Sequence, residues 1–509
     1  MTTPMPDPLA VVRNGRAIAR DVVPELSAAA FRQTLLDAVG DGQRVVSMFG
    51  HSVEKDLVIH LVLADDHRAL FRIAAARVPA GRPWQSLTPE CPQVHLFERE
   101  IAEQYGLALA GHPWAKPVRF GPPLAALAGT ASDRPRPQIG VMDFYRVEGD
   151  QIHEVAVGPV HAGVIEPGHF RFQCHGEEVF HLEISLGYQH RGVERALIGG
   201  PDVRSIHYAE TLAGDTTVGH TTAHCQVLEA LSGSQKTARA QALRGVGLEL
   251  ERLANHAGDL GALAGDVGFL PTASYCGRIR GDFLNMTATL CGNRFGRALL
   301  RPGGVRFDVT PAVVEDLCRR LDQAQRDCTV AINLLWDSPS VMARFEDIGI
   351  LPREVAEQLG VVGPAARACG LLRDVRADHP TGIFRFSQIP SSSADSGDVF
   401  GRAYIRWLEM QRSLTFLKEQ LQALPAGAIH TPLGALQPDQ LAIALVEGWR
   451  GELCHVALTD HAGRFARYKV VDPSFHNWPA LAYVLRNGQI SDFPLCNKSF
   501  NLSYCGHDL

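Results

Sequence analysis

Between Gly187 and Gly233 the sequence GYQHRGVERALIGGPDVRSIHYAETLAGDTTVGHTTAHCQVLEALSG sets Tyr188, His190, Arg191, Glu194, Arg204, His207, Glu210, Asp215, His220 and His224 among small and apolar residues. That mixture is too polar for plain core and too apolar for a solvated loop. It points to a buried polar site, in which histidines and carboxylates would hold or move protons. A capped helix with charged faces is the competing reading. Upstream, Gly158-Pro159-Val160-His161-Ala162-Gly163 is a flexible turn presenting His161, either a proton donor or an incidental loop histidine. Eleven cysteines are spread from Cys91 to Cys505 without one Cys-x-x-Cys pair, which reads as packed, reduced thiols rather than a disulfide framework. No Gly-x-Gly-x-x-Gly follows a strand, so nicotinamide chemistry belongs elsewhere.

The elements that must position these residues belong to a soluble globular chain. With 509 residues, 46% hydrophobic and 20% charged, there is material for two or three domains with substantial cores. A net charge of -6 and scattered arginines give no basic field for nucleic acid, which is excluded as a partner. The N-terminus MTTPMPDPLAVV has neither a basic n-region nor an apolar h-region, and no segment approaches the roughly 18 apolar residues of a spanning helix. Membrane association would come through partners.

The expected fold class is α+β: a small N-terminal α+β domain over 1–120, a Pro/Ala/Gly-rich linker over 121–140, and a mainly helical bundle with peripheral β-hairpins over 141–509. In the first domain LSAAAFRQTLLDAV has helical spacing, and RVVSMFG and KDLVIHLVLAD read as strands. In VHLFEREIAEQYG, Phe97, Ile101 and Tyr105 share a helix face with Gly106 as C-cap. After the linker, period-two alternation through Phe170, Phe172, Phe180, Leu182, Ile184 and Leu186 around His175-Gly176 describes a hairpin. Three-and-four spacing in ALRGVGLELERLANHAGDLGALAG predicts a helix with one buried stripe, and two more helices follow at VVEDLCRRLDQAQRDCTVAINLLW and GRAYIRWLEMQRSLTFLKEQLQAL, the latter capped by Ser396 or Asp398. The Gly/Pro-rich stretch 337–386 is expected to loop over the bundle. Strands around 451–471 and a helix at 478–486 close the chain.

Seven collinear segments carry a family resemblance. FEREIAEQYGLALAGHP resembles the signature of the 30 kDa-like subunit of respiratory complex I; GPVHAGVIEPGHFRF, GYQHRGVER, LELERLANHAGDLG, GPAARACG, RGELCH and DPSFHNW resemble those of its 49 kDa-like subunit. The same fusion occurs in large subunits of group 4 membrane-bound nickel-iron hydrogenases of the formate hydrogenlyase type. That family holds nickel and iron with two Cys-x-x-Cys pairs. Here the matching positions are Ala213, Thr216, Ser503 and Gly506, which supply no thiolate, so no nickel-iron centre and no hydrogenase activity are expected. The resemblance implies instead a quinone or similar acceptor at the former metal pocket. His161 matches the loop histidine thought to hydrogen-bond a quinone headgroup; the family's tyrosine falls on Gly214. Asp215 and His220 are added here as proton carriers on chemical grounds, with His161 facing their pocket. His190, Arg191, Glu194, His224 and Arg450 are pocket or interface candidates, although Arg191 and Glu194 could simply pair with each other or a neighbour, and Arg450 could be structural. The implied partners are a small iron-sulfur subunit of the 20 kDa type, which holds the cluster, and complex I-like and antiporter-like membrane subunits. The implied location is cytoplasmic, on the inner face of the cell membrane. A non-catalytic scaffold that docks the iron-sulfur subunit on the membrane arm is the second expectation.

Overall fold

The computed structural model describes residues 9–125, 137–161 and 165–509. β1 (Ala10–Val12), β2 (Arg16–Ala19) and β3 (Glu25–Leu26) precede α1 (Ala28–Gly40), whose first turn is capped by Ser27. β4 (Arg44–Val53), β5 (Asp56–Asp65) and β6 (Leu70–Val78) then form an antiparallel meander, with β1 and β3 both paired to β6. α2 (His95–Tyr105) buries Phe97, Ile101 and Tyr105 and stops at Gly106, whose φ of 68° supplies the left-handed turn. A short parallel pair, β7 (Trp84–Gln85) and β8 (Leu109–Ala110), brackets that helix. Of the linker, 121–125 lies against α2, with the Leu124 amide donating to the Gln104 carbonyl at 2.8 Å; 126–136 falls outside the described residues.

Beyond the linker, β9 (Ile152–Val157), β10 (His169–His175) and β11 (Glu178–Ser185) form one antiparallel sheet, so the expected hairpin carries a third strand. Short helices α3 (Val193–Leu197) and α4 (Ser205–Glu210) lead into α5 (Thr217–Ser232), α6 (Ala238–Asp266) and α7 (Leu270–Cys291). The small hairpin of β12 (Leu300–Arg301) and β13 (Gly304–Val305) then precedes α8 (Pro311–Trp336). The stripe expected on α6 is in fact burial on nearly every face from Ala240 to Ala264, because α5, α7, α13 (Val399–Gln422) and α15 (Phe493–Phe500) surround it. Asp398 caps α13 by accepting from the Gly401 amide at 2.7 Å. The stretch 337–386 is not a plain loop: it holds α9 (Pro339–Phe345), α10 (Arg353–Leu359), α11 (Gly363–Arg367) and α12 (Val375–Asp378). Its prolines stand at helix starts and Gly360 ends α10 with φ 68°, so the Gly/Pro density marked ends rather than absence of helix.

β14 (Gln440–Glu447), β15 (Glu452–Thr459) and β16 (Phe465–Val471) form an antiparallel sheet, whose remaining edge is β2 from the far end of the chain. α14 (Pro473–Val484) and α16 (Tyr504–Asp508) complete the C-terminus. Two hydrophobic cores result. One fills the bundle; the other joins Phe49, Leu61, Phe71 and Phe97 to Leu441, Ile443, Val456 and Leu458. The N-terminal sheet therefore shares its core with the β14–β16 sheet. The α+β class stands, and no helix among the described residues is long and apolar enough to cross a membrane.

Candidate functional site

Ala213 and Thr216 lie in the turn before α5, and Ser503 and Gly506 lie in and before α16; all four are buried. The Thr216 hydroxyl accepts from Trp449 Nε1 at 3.1 Å and donates to Asp215 Oδ1 at 3.2 Å. The Ser503 hydroxyl caps α16 by accepting from the Gly506 amide at 2.9 Å. A Cβ at Gly506 would stand 2.6 Å from Asp472 Cγ, so the Asp472 carboxylate fills the space a fourth ligand side chain would need. Cys505 contacts Ser503 Oγ at 3.4 Å; burial and the neighbouring Glu166 push its thiol up to about 12, so it remains a protonated thiol. The donor set does not fit a nickel-iron centre. No group of three or more His, Cys, Asp or Glu among the described residues is arranged to hold a metal ion.

Two separate polar constructions occupy the old pocket. In the first, Arg450 donates from Nη1 and Nη2 to the two Asp215 oxygens at 2.6 and 2.7 Å, with its guanidinium 3.9 Å from the Trp449 ring. Asp215, one-third exposed, also fixes its neighbours through its carbonyl, which accepts from Asn255 Nδ2 and Trp449 Nε1. In the second, Asp472, at the start of α14, meets His220 Nε2 at 3.1 Å; His220 Nδ1 lies 3.1 Å from His455 Nε2; His455 Nδ1 lies 2.9 Å from the Tyr468 hydroxyl; and that hydroxyl lies 2.8 Å from His224 Nδ1. This row of five buried groups ties α5 to β15, β16 and α14. Burial holds His224 down to about 4 and His455 well below the ordinary histidine value, so both are neutral, while against the upward push of burial the hydrogen bond from His220 holds Asp472 below the usual carboxylate range. The expectation that Asp215 and His220 line one open pocket is corrected: His220 has no exposure at all, and it is bonded to Asp472 rather than to Asp215.

Glu251 on α6 adds a carboxyl that the sequence reading missed. It accepts from the Val218 and Gly219 amides at 2.6 and 3.0 Å, at the first turn of α5, and burial together with nearby Asp215 raises it to about 8. Asp215, Glu251, Arg280 and Arg294 surround a cleft with room for about one water.

The GYQHRGVER segment is fastened to the chain's last residues. Asp508 accepts from the Gly187 and Gln189 amides at 2.8 and 2.9 Å, its carbonyl meets His190 Nδ1 at 2.7 Å, and the Leu509 carbonyl accepts from the Arg191 amide. Arg191 and Glu194 do not pair with each other. Arg191 donates to the Leu212 and Cys505 carbonyls at 2.9 Å, closing the two halves of the old ligand set together. Glu194 is buried between Lys469 Nζ at 3.0 Å and Arg467 Nη2 at 2.8 Å, and Lys469 in turn reaches Glu100 on α2. These cations hold Glu194 far below the usual carboxylate range.

His161 stands apart. It lies in the β9–β10 connection, its ring 6.0 Å from Phe170; both ring nitrogens are shielded from solvent and among the described residues neither makes a well-formed hydrogen bond, the Gly168 backbone being the polar group beside the ring. Burial lowers its pKa, which keeps the ring neutral. Tyr504, beside Ser503, packs against Gly168 of the same connection and against Phe170 and Trp478, its hydroxyl beside Asn497. Asp472, Glu251 and His455 lie within DPSFHNW, LELERLANHAGDLG and RGELCH but are not legible there as site residues; the Asp-Pro-Ser start of α14 is the available signal for Asp472. Tyr468 and Tyr504 carry none.

Residues 266–435 match the family described as respiratory-chain NADH dehydrogenase, 49 Kd subunit. The chain is 30% identical to formate hydrogenlyase subunit 5 of Escherichia coli (84% of this chain, 77% of that one) and 30% identical to the carbon monoxide-induced hydrogenase of Rhodospirillum rubrum (69% and 97%). It is 27% identical to NADH-quinone oxidoreductase subunit 4 of Thermus thermophilus (67% and 90%). With a full sheet-and-bundle frame around the former ligand positions and relatives of this coverage, the chain belongs to the family of complex I 49 kDa subunits and group 4 hydrogenase large subunits.

Proposed function

We propose that this chain is the acceptor-reducing subunit of a complex I-like, membrane-bound oxidoreductase: electrons arrive from an iron-sulfur cluster in an adjacent small subunit and reduce a quinone or similar acceptor near His161. Ion movement in membrane subunits would be coupled to that step, and the chain would sit at the membrane's cytoplasmic face through its partners. One observation carries the reading. Among the site residues expected from sequence, His161 is the one whose two ring nitrogens are both buried without a well-formed hydrogen bond among the described residues; a buried polar group left without a good partner costs about 1–3 kcal/mol and suits a place that a ligand would complete. Tyr504, whose ring packs against Gly168 of the same connection, carries a buried phenol hydroxyl as a second polar group. Reduction of a quinone takes two electrons and two protons. Neutral His161 can donate an N–H to a carbonyl oxygen, and the Asp472–His220–His455–Tyr468–His224 row can carry protons within the fold. Nickel-iron chemistry has no part in it, because the four positions offer no thiolate.

The test is quinone reduction by the assembled complex. His161→Ala should lower turnover at least tenfold with assembly intact. A complex that binds and reduces no quinone, with a His161→Ala variant of normal behaviour, refutes the reading.

The second reading, a scaffold and coupler, is favoured by the closure of the Asp215–Arg450 and Glu194–Lys469–Arg467 pairs. Asp215→Asn with His220→Gln separates the two: lost turnover in an intact complex favours chemistry, and failed assembly alone favours scaffolding.

A further inference from the structure

A cavity of about 600 Å³ opens where α2 and the segment after it face β11 and α14, away from the constructions around Asp215 and Asp472. Its size is that of small-molecule sites. Leu182, Ile184, Leu186, Trp478 and Tyr483 give it an apolar wall. Its charge is uneven: Arg99, Lys116 and Arg486 line it against the single carboxylate of Glu183, which Lys116 already pairs at 2.6 Å.

Arg99 is the informative residue. Its guanidinium donates to the Lys116 carbonyl at 2.7 Å and the Pro117 carbonyl at 3.0 Å, and among the described residues no carboxylate forms an ion pair with it. Burial pulls it down to about 10, so it remains a cation at neutral pH. Arg99 is half-buried, its hydrogen bonds go to carbonyls, and Glu103 and Glu183 act on it only from a distance, so an anion in the cavity would gain a direct charge-assisted partner. A second signal is independent of that charge. His95 Nε2 and His181 Nε2, both in the cavity wall, are shielded from solvent and have no hydrogen-bond partner among the described residues.

We propose that this cavity binds an anionic amphiphile, with a carboxylate or phosphate against Arg99, hydrogen bonds from the wall histidines, and an apolar body along Trp478 and β11. A free fatty acid and an anionic phospholipid of the membrane surface share that chemistry. The proposal is independent of the acceptor reading at His161, and it can fail or hold without it.

The test uses the full chain with sodium dodecanoate, dodecyl phosphate and the neutral dodecanol as probes, followed by calorimetry and by the fluorescence of wall residues Trp114 and Trp478. The anions should bind one per chain, roughly tenfold or more tighter than dodecanol, the range of a charge-assisted contact. Arg99→Met should remove that preference, leave dodecanol binding unchanged, and melt no lower than the parent without ligand. Arg486→Gln, at an exposed position, should weaken the anions about threefold, a surface-charge effect, and serves if Arg99→Met does not fold. Cosedimentation with phosphatidylglycerol vesicles but not phosphatidylcholine vesicles, lost in Arg99→Met and weakened about threefold by Arg486→Gln, assigns the membrane source; saturable dodecanoate binding without vesicle association assigns the free acid. Equal affinity for dodecanoate and dodecanol, unchanged binding in both variants, or a cavity filled by a partner-subunit segment that no probe displaces overturns the proposal.

Discussion

Restoring a cysteine at the fourth ligand position should damage the fold rather than rebuild a metal site. At Gly506 the new Cβ would lie 2.6 Å from Asp472 Cγ and Oδ2 and 2.9 Å from Oδ1, before a sulfur is added. Asp472 has little freedom to withdraw. Its Oδ1 accepts from the Ser474 amide at 2.8 Å, capping α14, and its Oδ2 holds His220 at 3.1 Å. Overpacking costs about 1–3 kcal/mol, and a lost cap about 1 more. The sum, roughly 2–4 kcal/mol, corresponds to a Tm fall of about 2–4 °C for a chain of this size. Gly506→Cys should therefore melt that much lower by circular dichroism, and Asp472→Ala should relieve part of the penalty, so the double variant is less destabilised than the sum of the two singles. The fourfold variant Ala213→Cys, Thr216→Cys, Ser503→Cys, Gly506→Cys should bind less than stoichiometric nickel while Asp472 remains. A Gly506→Cys protein that melts within about 1 °C of the parent, strict additivity with Asp472→Ala, or one nickel per fourfold variant refutes the steric argument.

Two further outcomes follow from buried charge. Glu409 on α13 accepts from Arg367 Nε at 2.9 Å, Arg252 Nη1 at 3.3 Å and His256 Nε2 at 2.9 Å; Glu409→Gln removes the carboxylate they share while Arg252 keeps Glu249 and Arg367 keeps Glu447, so the loss is about 1.5–3 kcal/mol, read as a Tm drop, and a change under about 0.5 kcal/mol would show that the cluster is not carrying charge. Glu251 titrates near 8 in the fold against an ordinary value of 4.5, so between those values the folded state keeps a proton the unfolded chain has released, and stability falls as pH rises through that window. Glu251→Gln, permanently neutral, should flatten the Tm profile between pH 5 and 8, and parallel profiles for parent and variant would contradict the raised value.

What the sequence made legible is what nearest neighbours along the chain decide. Gly106 ends α2 because glycine takes φ 68° without the cost a side chain carries there, Asp398 caps α13 three residues ahead of the amide it serves, and the β10–β11 alternation sits on either side of one turn. The same local reading found that the Gly187–Gly233 stretch is polar and buried, yet it could not say whether those groups were free or spoken for. That depends on partners hundreds of positions away: Lys469 for Glu194, Arg450 for Asp215, Asp472 for His220, Leu509 for Arg191. β2 crossing to β14 was hidden for the same reason, since a four-residue strand carries too little pattern to name its sheet. Burial of a charge is tolerable only with a counter-charge, so each closed pair lowers the case for chemistry at that residue and strengthens the case for structure. Applied to the candidates, that criterion assigns Glu194 and Arg450 to holding the halves of the old pocket shut, with Arg191 joining them through backbone carbonyls. His220 and His224 are taken up by the buried row that ends on Asp472, and under the proposed function His161 is where a substrate oxygen would meet a ring nitrogen that lacks a well-formed hydrogen bond among the described residues.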